Sequence, residues 1–331
     1  MDRWNCTKAE LEKLVVNEDE LWERINYVYN SAKKTTSYKF GLIKSILDNL
    51  INAYLRDHLY FISYENLFSK FTENYWNLII KYHLRQIRKS TQRDKSSLEL
   101  IIEKIVGEHE EFRMIEFSAI GEDIKKDLIG QVTRSCKKNV LSALYNDFGG
   151  IVFSFDFHGD GINLSPAAYE FLIHYSIEIE KLNYYGWAKF LEEINDDNEV
   201  IRVLDKLEMA TPQRKDLSAY RLILQKEFEE NTCFYCGKKL VGNSPVDHFI
   251  PWKFTKEDRL WNFVLCCKTC NSKKYDRLPP KDYLDRIIMR NGKASNSQNP
   301  FVIEQFRNYD QGLFIRMWKY ARYSGFQEYK R

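Results

Sequence analysis

Two Cys-x-x-Cys pairs, Cys233/Cys236 and Cys267/Cys270, stand 30 residues apart in a chain of 331. They constrain the fold more than any other feature. Each pair can offer two thiolates to one ion at about 2.3 Å, and two pairs complete a closed tetrahedral site of the structural kind. The enclosed loop is too short for a large core, so zinc is expected to contribute much of the local folding energy. Cys266 offers a competing register, but only Cys267 completes the spacing with Cys270. Five of the seven cysteines fall within residues 233–270, while Cys6 and Cys136 stand alone and read as buried free thiols.

The compartment agrees with metal rather than disulfides. Met1-Asp2-Arg3-Trp4 leads straight into charged sequence with no leader pattern. No apolar run approaches the roughly 20 residues that span a bilayer. A cytoplasmic protein without membrane contact is expected, and thiols stay reduced there.

Gly and Pro are scarce, at 14 and 7, which favours helices over a turn-rich β fold. The expected class is α+β: a mainly α N-terminal region, 1–212, and a C-terminal domain, 213–331. Apolar spacing predicts helices over 8–30, 38–56, 65–89, 96–110 and 122–147, with a short strand or linker at Tyr60–Tyr64. Gly149-Gly150 precedes an alternating stretch that reads as a β-hairpin near 151–163. Asp156, Asp160 and Gly161 suggest a calcium loop, but its twelfth position is Ala167 where a bidentate Glu is needed. Ser165-Pro166 starts a helix running to about Asn195 with a break near Tyr184–Gly186. A short helix at 197–208 follows. Thr211-Pro212 marks the boundary, and an amphipathic helix over 215–230 leads into Cys233. The tail is expected to be helical after Pro279-Pro280 and again over 301–323.

Charge is divided unevenly. Residues 231–331 carry 19 Lys and Arg against 9 Asp and Glu, whereas residues 1–230 carry 31 against 38. A basic module beside an acidic one points to an anionic ligand, of which nucleic acid is the commonest. The stretch 83–93, HLRQIRKSTQR, is also basic and reads as a solvated helix end.

Between and after the cysteine pairs, residues 246–251 (VDHFIP) alternate as a strand would, 261–265 (WNFVL) read as the next strand, and 268–275 as a short helix. His248 is the only histidine after residue 174. The Asp-His pair at 247–248, Asn262 just before an apolar strand, and C-x-x-C-N-x-x-K-x-D at 267–276 together resemble the HNH endonucleases, including the HNH domain of RNA-guided nucleases. The resemblance covers about residues 231–280 and implies a ββα-metal unit. Asp247 and Asn271 stand where some members carry His.

Carried over by position, the resemblance implies that Asp247 and Asn271 ligate a catalytic cation, Mg²⁺ or Mn²⁺. It implies that His248 is the general base for hydrolysis of a phosphodiester. Asn262 would hold His248 or its loop, Lys274 would contact phosphate, and Asp276 would orient the helix or Lys274. The implied protein is a DNA endonuclease of bacterial restriction or anti-phage defence. Its N-terminal region would recognise a target, form a homodimer or bind a regulatory protein. The alternatives are a catalytically silent zinc-ribbon nucleic-acid-binding scaffold and an RNA nuclease.

Overall fold

The structure is a computed structural model that describes residues 6–90, 94–209 and 217–330. The chain divides into two compact units, Met1–Gln213 and Arg214–Arg331. The Thr211-Pro212 boundary lies outside the described residues, as do residues 1–5, which include the start of the chain, and 91–93 of the basic stretch.

The first unit begins with strand β1 (Lys8–Ala9) and helix α1 (Glu18–Asn30). The helix expected over 8–30 is shorter because Asn17 caps it. Its side chain accepts from the Glu20 N–H, and Glu20 reaches back to the Asn17 N–H, a reciprocal capping box. Leu14 and Val15, which precede the cap, are exposed. Helix α2 (Tyr38–Asp48) ends earlier than expected, passes through a 3₁₀ turn at Leu50–Asn52, and gives way to strands β2 (Tyr54–Arg56) and β3 (Leu59–Ser63). Then follow α3 (Tyr64–Ile80), α4 (Ser97–Glu108) and α5 (Glu122–Asp147). Strands β4 (Phe153–Asp156) and β5 (Gly161–Leu164) form the expected hairpin. It is not a free wing: β1-β4-β5-β3-β2 make one antiparallel sheet, with Phe61 opposite Asn163 and Ala9 opposite Phe155.

Helices α6 (Pro166–His174) and α7 (Ser176–Ile194) complete the apolar shell. The break falls at Tyr175, not near Gly186. Gly186 is kept helical by close packing: a Cβ there would sit 2.9 Å from Tyr29 and 3.0 Å from Phe40. Two short helices, α8 (Asp197–Val200) and α9 (Val203–Met209), replace the single one expected. Arg202 between them takes a left-handed φ of 56°, which no continuous helix tolerates. The rejected calcium loop is a turn in which Asp160 pairs with Arg56 at 2.9 Å and the Asp156 carboxylate accepts from the His158 N–H. Cys136 is buried, but Cys6 is only half-buried.

Every residue of α2 is buried, including Lys39, Lys44 and Asp48. Lys44 bonds Asp48 and lies 3.4 Å from Glu180 Oε1, while Asn74 donates to Asp48 at 3.3 Å. Burial alone would depress the Lys44 ammonium, yet the charges of Asp48, Tyr184 and Glu180 hold it above its ordinary value.

The second unit opens with α10 (Ser218–Glu227), shorter than the lead-in helix expected over 215–230, of which residues 215 and 216 lie outside the described residues. Strands β6 (Val246–His248) and β7 (Phe263–Leu265) pair antiparallel, with His248 opposite Phe263. A short helix α11 (Trp252–Thr255) lies between them, and α12 (Lys268–Lys274) follows. The tail forms α13 (Lys281–Gly292), α14 (Pro300–Phe306) and α15 (Gln311–Tyr323). The last two were expected as one helix, but Asp310 caps α15 by accepting from Leu313. Leu224, Leu260, Phe263, Leu265 and Val302 form the core that holds α10, β7 and α14 together. Among the described residues, no helix is long and apolar enough to cross a membrane.

Candidate functional site

The first cysteine pair sits on a tight knuckle. The Cys233 N–H donates to Lys238 O and the Gly237 N–H to Cys233 O at 2.8 Å. Gly237 has φ +74°, a conformation that glycine adopts without strain. The Phe234 N–H donates to Leu265 O at 2.9 Å, which moors the knuckle to β7. The second pair opens α12: Cys267 is its N-cap, and its sulfur accepts from the Cys270 N–H at 3.4 Å.

The sulfur atoms of Cys233, Cys236, Cys267 and Cys270 all lie within 4.8 Å of one another. Cys236 and Cys267 are 3.8 Å apart at Sγ. A tetrahedron with zinc–sulfur arms of about 2.3 Å has edges of about 3.8 Å, so the donor set fits the ion in type and spacing. Burial pushes the thiols of Cys233 and Cys270 up, the latter to about 12, while a backbone hydrogen bond from Lys238 draws Cys236 down to about 7. Cys266 stays outside this group. It is buried, with Sγ 3.8 Å from Pro245 O and 3.7 Å from Asn271 Oδ1, and burial and the Asp247 charge raise its thiol well above the usual range.

Strand β6 carries Asp247 and His248, both almost fully buried. Asp247 Oδ2 accepts from the Tyr235 hydroxyl at 2.6 Å. Burial first, then the Asp247 charge, raises the Tyr235 phenol far above its ordinary value, so it remains a donor. Tyr235 lies between the two cysteines of the first knuckle, so the staple and the carboxylate are linked by one side chain.

His248 Nε2 lies 2.8 Å from Asp258 Oδ1, and its ring meets Phe263 edge-on at 4.7 Å between centroids. A carboxylate only accepts, so the contact places a hydrogen on Nε2, and in the neutral ring the lone pair is then on Nδ1. Asp258 was not singled out from sequence. Nothing in its neighbours Glu257 and Arg259 marks it; the loop after α11 brings it back to His248, and that loop turns at Lys256 with φ +58°.

Asn262 is fully buried and bonds both main-chain groups of Ile250: its Oδ1 accepts from the N–H at 2.9 Å and its Nδ2 donates to the carbonyl at 2.9 Å. The Phe249 N–H donates to Asn262 O at 2.7 Å. Those bonds hold the two residues that follow His248.

Lys274 has no exposed surface. Its ammonium bonds His248 O and lies 3.2 Å from Asp247 Oδ2. Lys274, expected to contact phosphate, is held in an internal ion pair, because the last turn of α12 packs this side chain under β6. Asn271, one turn earlier on α12, has its Oδ1 beside Cys266. Asp276, two residues past the end of α12, is half-buried.

Residues 233–277 match the family model described as HNH endonuclease. That match supports nuclease chemistry at the level of the family. No curated protein and no solved structure matches the chain.

Proposed function

We propose that the chain is a metal-dependent endonuclease hydrolysing DNA phosphodiester bonds, with His248 as general base. The observation that carries this reading is the 2.8 Å contact between His248 Nε2 and Asp258 within the segment that matches the HNH family. It leaves Nδ1 able to take a proton from an attacking water. Asp258 fixes the tautomer and steadies the imidazolium that forms. Asn262 fixes the backbone beyond the base, and Tyr235 orients Asp247.

Asp247 and Asn271 offer hard oxygen donors, which suit Mg²⁺ or Mn²⁺ retaining several waters. A cation bound there would share Asp247 with the Lys274 ammonium, 3.2 Å from Oδ2. When bound, such a cation would stabilise charge on the phosphate and the leaving oxygen. Zinc on the four cysteines would hold shape only. One such site cuts one strand, so a double-strand break needs a homodimer or two encounters. In this reading residues 1–212 recognise a target or a regulatory partner, and the setting is restriction or anti-phage defence in the cytoplasm.

One observation favours the second reading, a silent nucleic-acid-binding scaffold: Lys274 already neutralises Asp247. Plasmid nicking with Mg²⁺ or Mn²⁺, comparing the protein with its His248→Ala variant, separates the two. Nicking that His248→Ala abolishes is expected. Absence of nicking with either metal, or equal nicking by the variant, removes the enzyme reading. Labelled RNA run beside DNA separates the RNA nuclease alternative.

A further inference from the structure

The tail of the second unit returns to the catalytic helix. The Leu278 N–H donates to Gln327 O at 2.8 Å and the Tyr329 N–H to Leu278 O at 2.9 Å, so residues 327–329 lie alongside the segment just after α12. Tyr329 is the anchor. It is 1% exposed, and its ring meets Tyr235 at 5.1 Å, the same Tyr235 that bonds Asp247. With Tyr329 turned inward, Gln327, Glu328 and Lys330 face out. They meet Lys273 and Arg277 across a groove of about 600 Å³.

Three cations and one acid, Glu328, line that groove. Like charges gathered on one surface repel, and an anion lying between them removes the repulsion. Arg277 is held by a hydrogen bond from its Nη1 to Lys273 O, which fixes its position along α12. Lys273 adjoins Lys274, so consecutive residues of α12 face the groove and the buried Asp247. The surrounding stretch has an excess of Lys and Arg, 19 against 9. An open groove lined by three cationic side chains, with Gln327 and Glu328, suits a chain of phosphates better than a compact small molecule.

We propose that Lys273, Arg277 and Lys330 form a phosphate track that holds the sugar-phosphate backbone of a nucleic acid along α12. The track brings that backbone to the site containing His248. The inference builds on the nuclease reading for its substrate class. It adds residues that lie outside the matched segment, since 327–330 fall beyond residue 277.

Binding and cleavage test it separately. Full-length, zinc-loaded protein carrying His248→Ala is titrated by fluorescence anisotropy with a short DNA duplex and with RNA of the same sequence, over a range of salt. Neutralising the track (Lys273→Gln, Arg277→Gln, Lys330→Gln) should weaken binding by about tenfold or more and flatten the salt dependence by about two to three units, one for each phosphate left without its cation. Neutralising Lys293 and Lys319, exposed basic residues of the same unit, should do neither. Zinc content and circular dichroism check that each variant is folded. The proposal is overturned if the track variant binds like the Lys293/Lys319 control, or if the parent binds neither nucleic acid. It is also overturned if inorganic phosphate, well below the background ionic strength, saturates the groove and displaces nothing. Plasmid nicking by the unmodified protein is read beside binding. If that protein nicks no plasmid but its track binds nucleic acid, the nuclease reading fails while the track stands.

Discussion

The two units solve the problem of stability in opposite ways. The first builds around α2, a helix buried on all sides whose charged side chains find partners within a large core. Lys44 is matched there by Asp48 and Glu180, with Asn74 completing the set. The second rests on two strands of three residues each. Such a pair is marginal alone, and a small apolar core, four converging thiols and a returning tail supplement it. The difference bears on the candidate site: in the larger unit Lys44 and its partners are held inside the core, whereas in the smaller one the elements that hold the fold also carry the candidate site. Cys270 adjoins Asn271, and Tyr235 joins the first knuckle to Asp247.

The sharpest way to break the contrast is to remove the staple. A Cys236→Ser, Cys270→Ser variant should lose zinc and, with it, a large part of a stabilisation that reaches about 10–16 kcal/mol in zinc-finger peptides. Cleavage should vanish, and hydrogen exchange should rise across residues 217–330 while α2 and α3 stay protected. A variant that remains folded and active without zinc would show that the apolar core suffices.

Next in size is His248→Ala, which should lower cleavage by about 10²–10⁴-fold, the range for removing a general base. The same variant should retain its zinc and its melting temperature to within a few degrees. Asp258→Asn should lower the rate less and move its pH profile; an unchanged profile would mean that the Asp258 contact is structural only.

In the first unit, Lys44→Met leaves Asp48 and Glu180 uncompensated and should cost about 3–5 kcal/mol. Denaturant unfolding followed unit by unit checks this, and equal destabilisation of both units would erase the distinction drawn above. Asn262→Ala strands the N–H and carbonyl of Ile250 and should cost about 1–3 kcal/mol per unpaired group. Gly186→Ala forces a methyl against Tyr29 and Phe40, for a loss of about 1–3 kcal/mol. Of the set, only His248→Ala and Asp258→Asn should change the rate while leaving the fold intact.

Legibility followed the range of the interactions. Helix α5 was readable because its signals are local, and the β4–β5 hairpin because its strands flank a turn. The zinc donors were readable because their spacing is itself the signal. The break at Tyr175 was misread because glycine at 186 looks like a breaker until Tyr29 and Phe40 are packed against it. The placement of β1 and of β2 and β3 in one sheet with the hairpin was missed, since those pairings join residues about a hundred or more apart.

The candidate site divides along the same line. Residue types and their order determined by themselves that four thiols could converge, because covalent spacing limits what each short segment can reach; the grouping of Asp247, His248 and Asn271 rested on the resemblance to the HNH endonucleases. Only the tertiary structure decided what those side chains touch. Lys274 lies under β6 against Asp247, Asp258 returns to His248 over a loop, and Tyr329 brings Lys330 to the groove that Lys273 lines. Those contacts depend on packing between distant segments, and burial, not sequence position, sets which partner each charge finds.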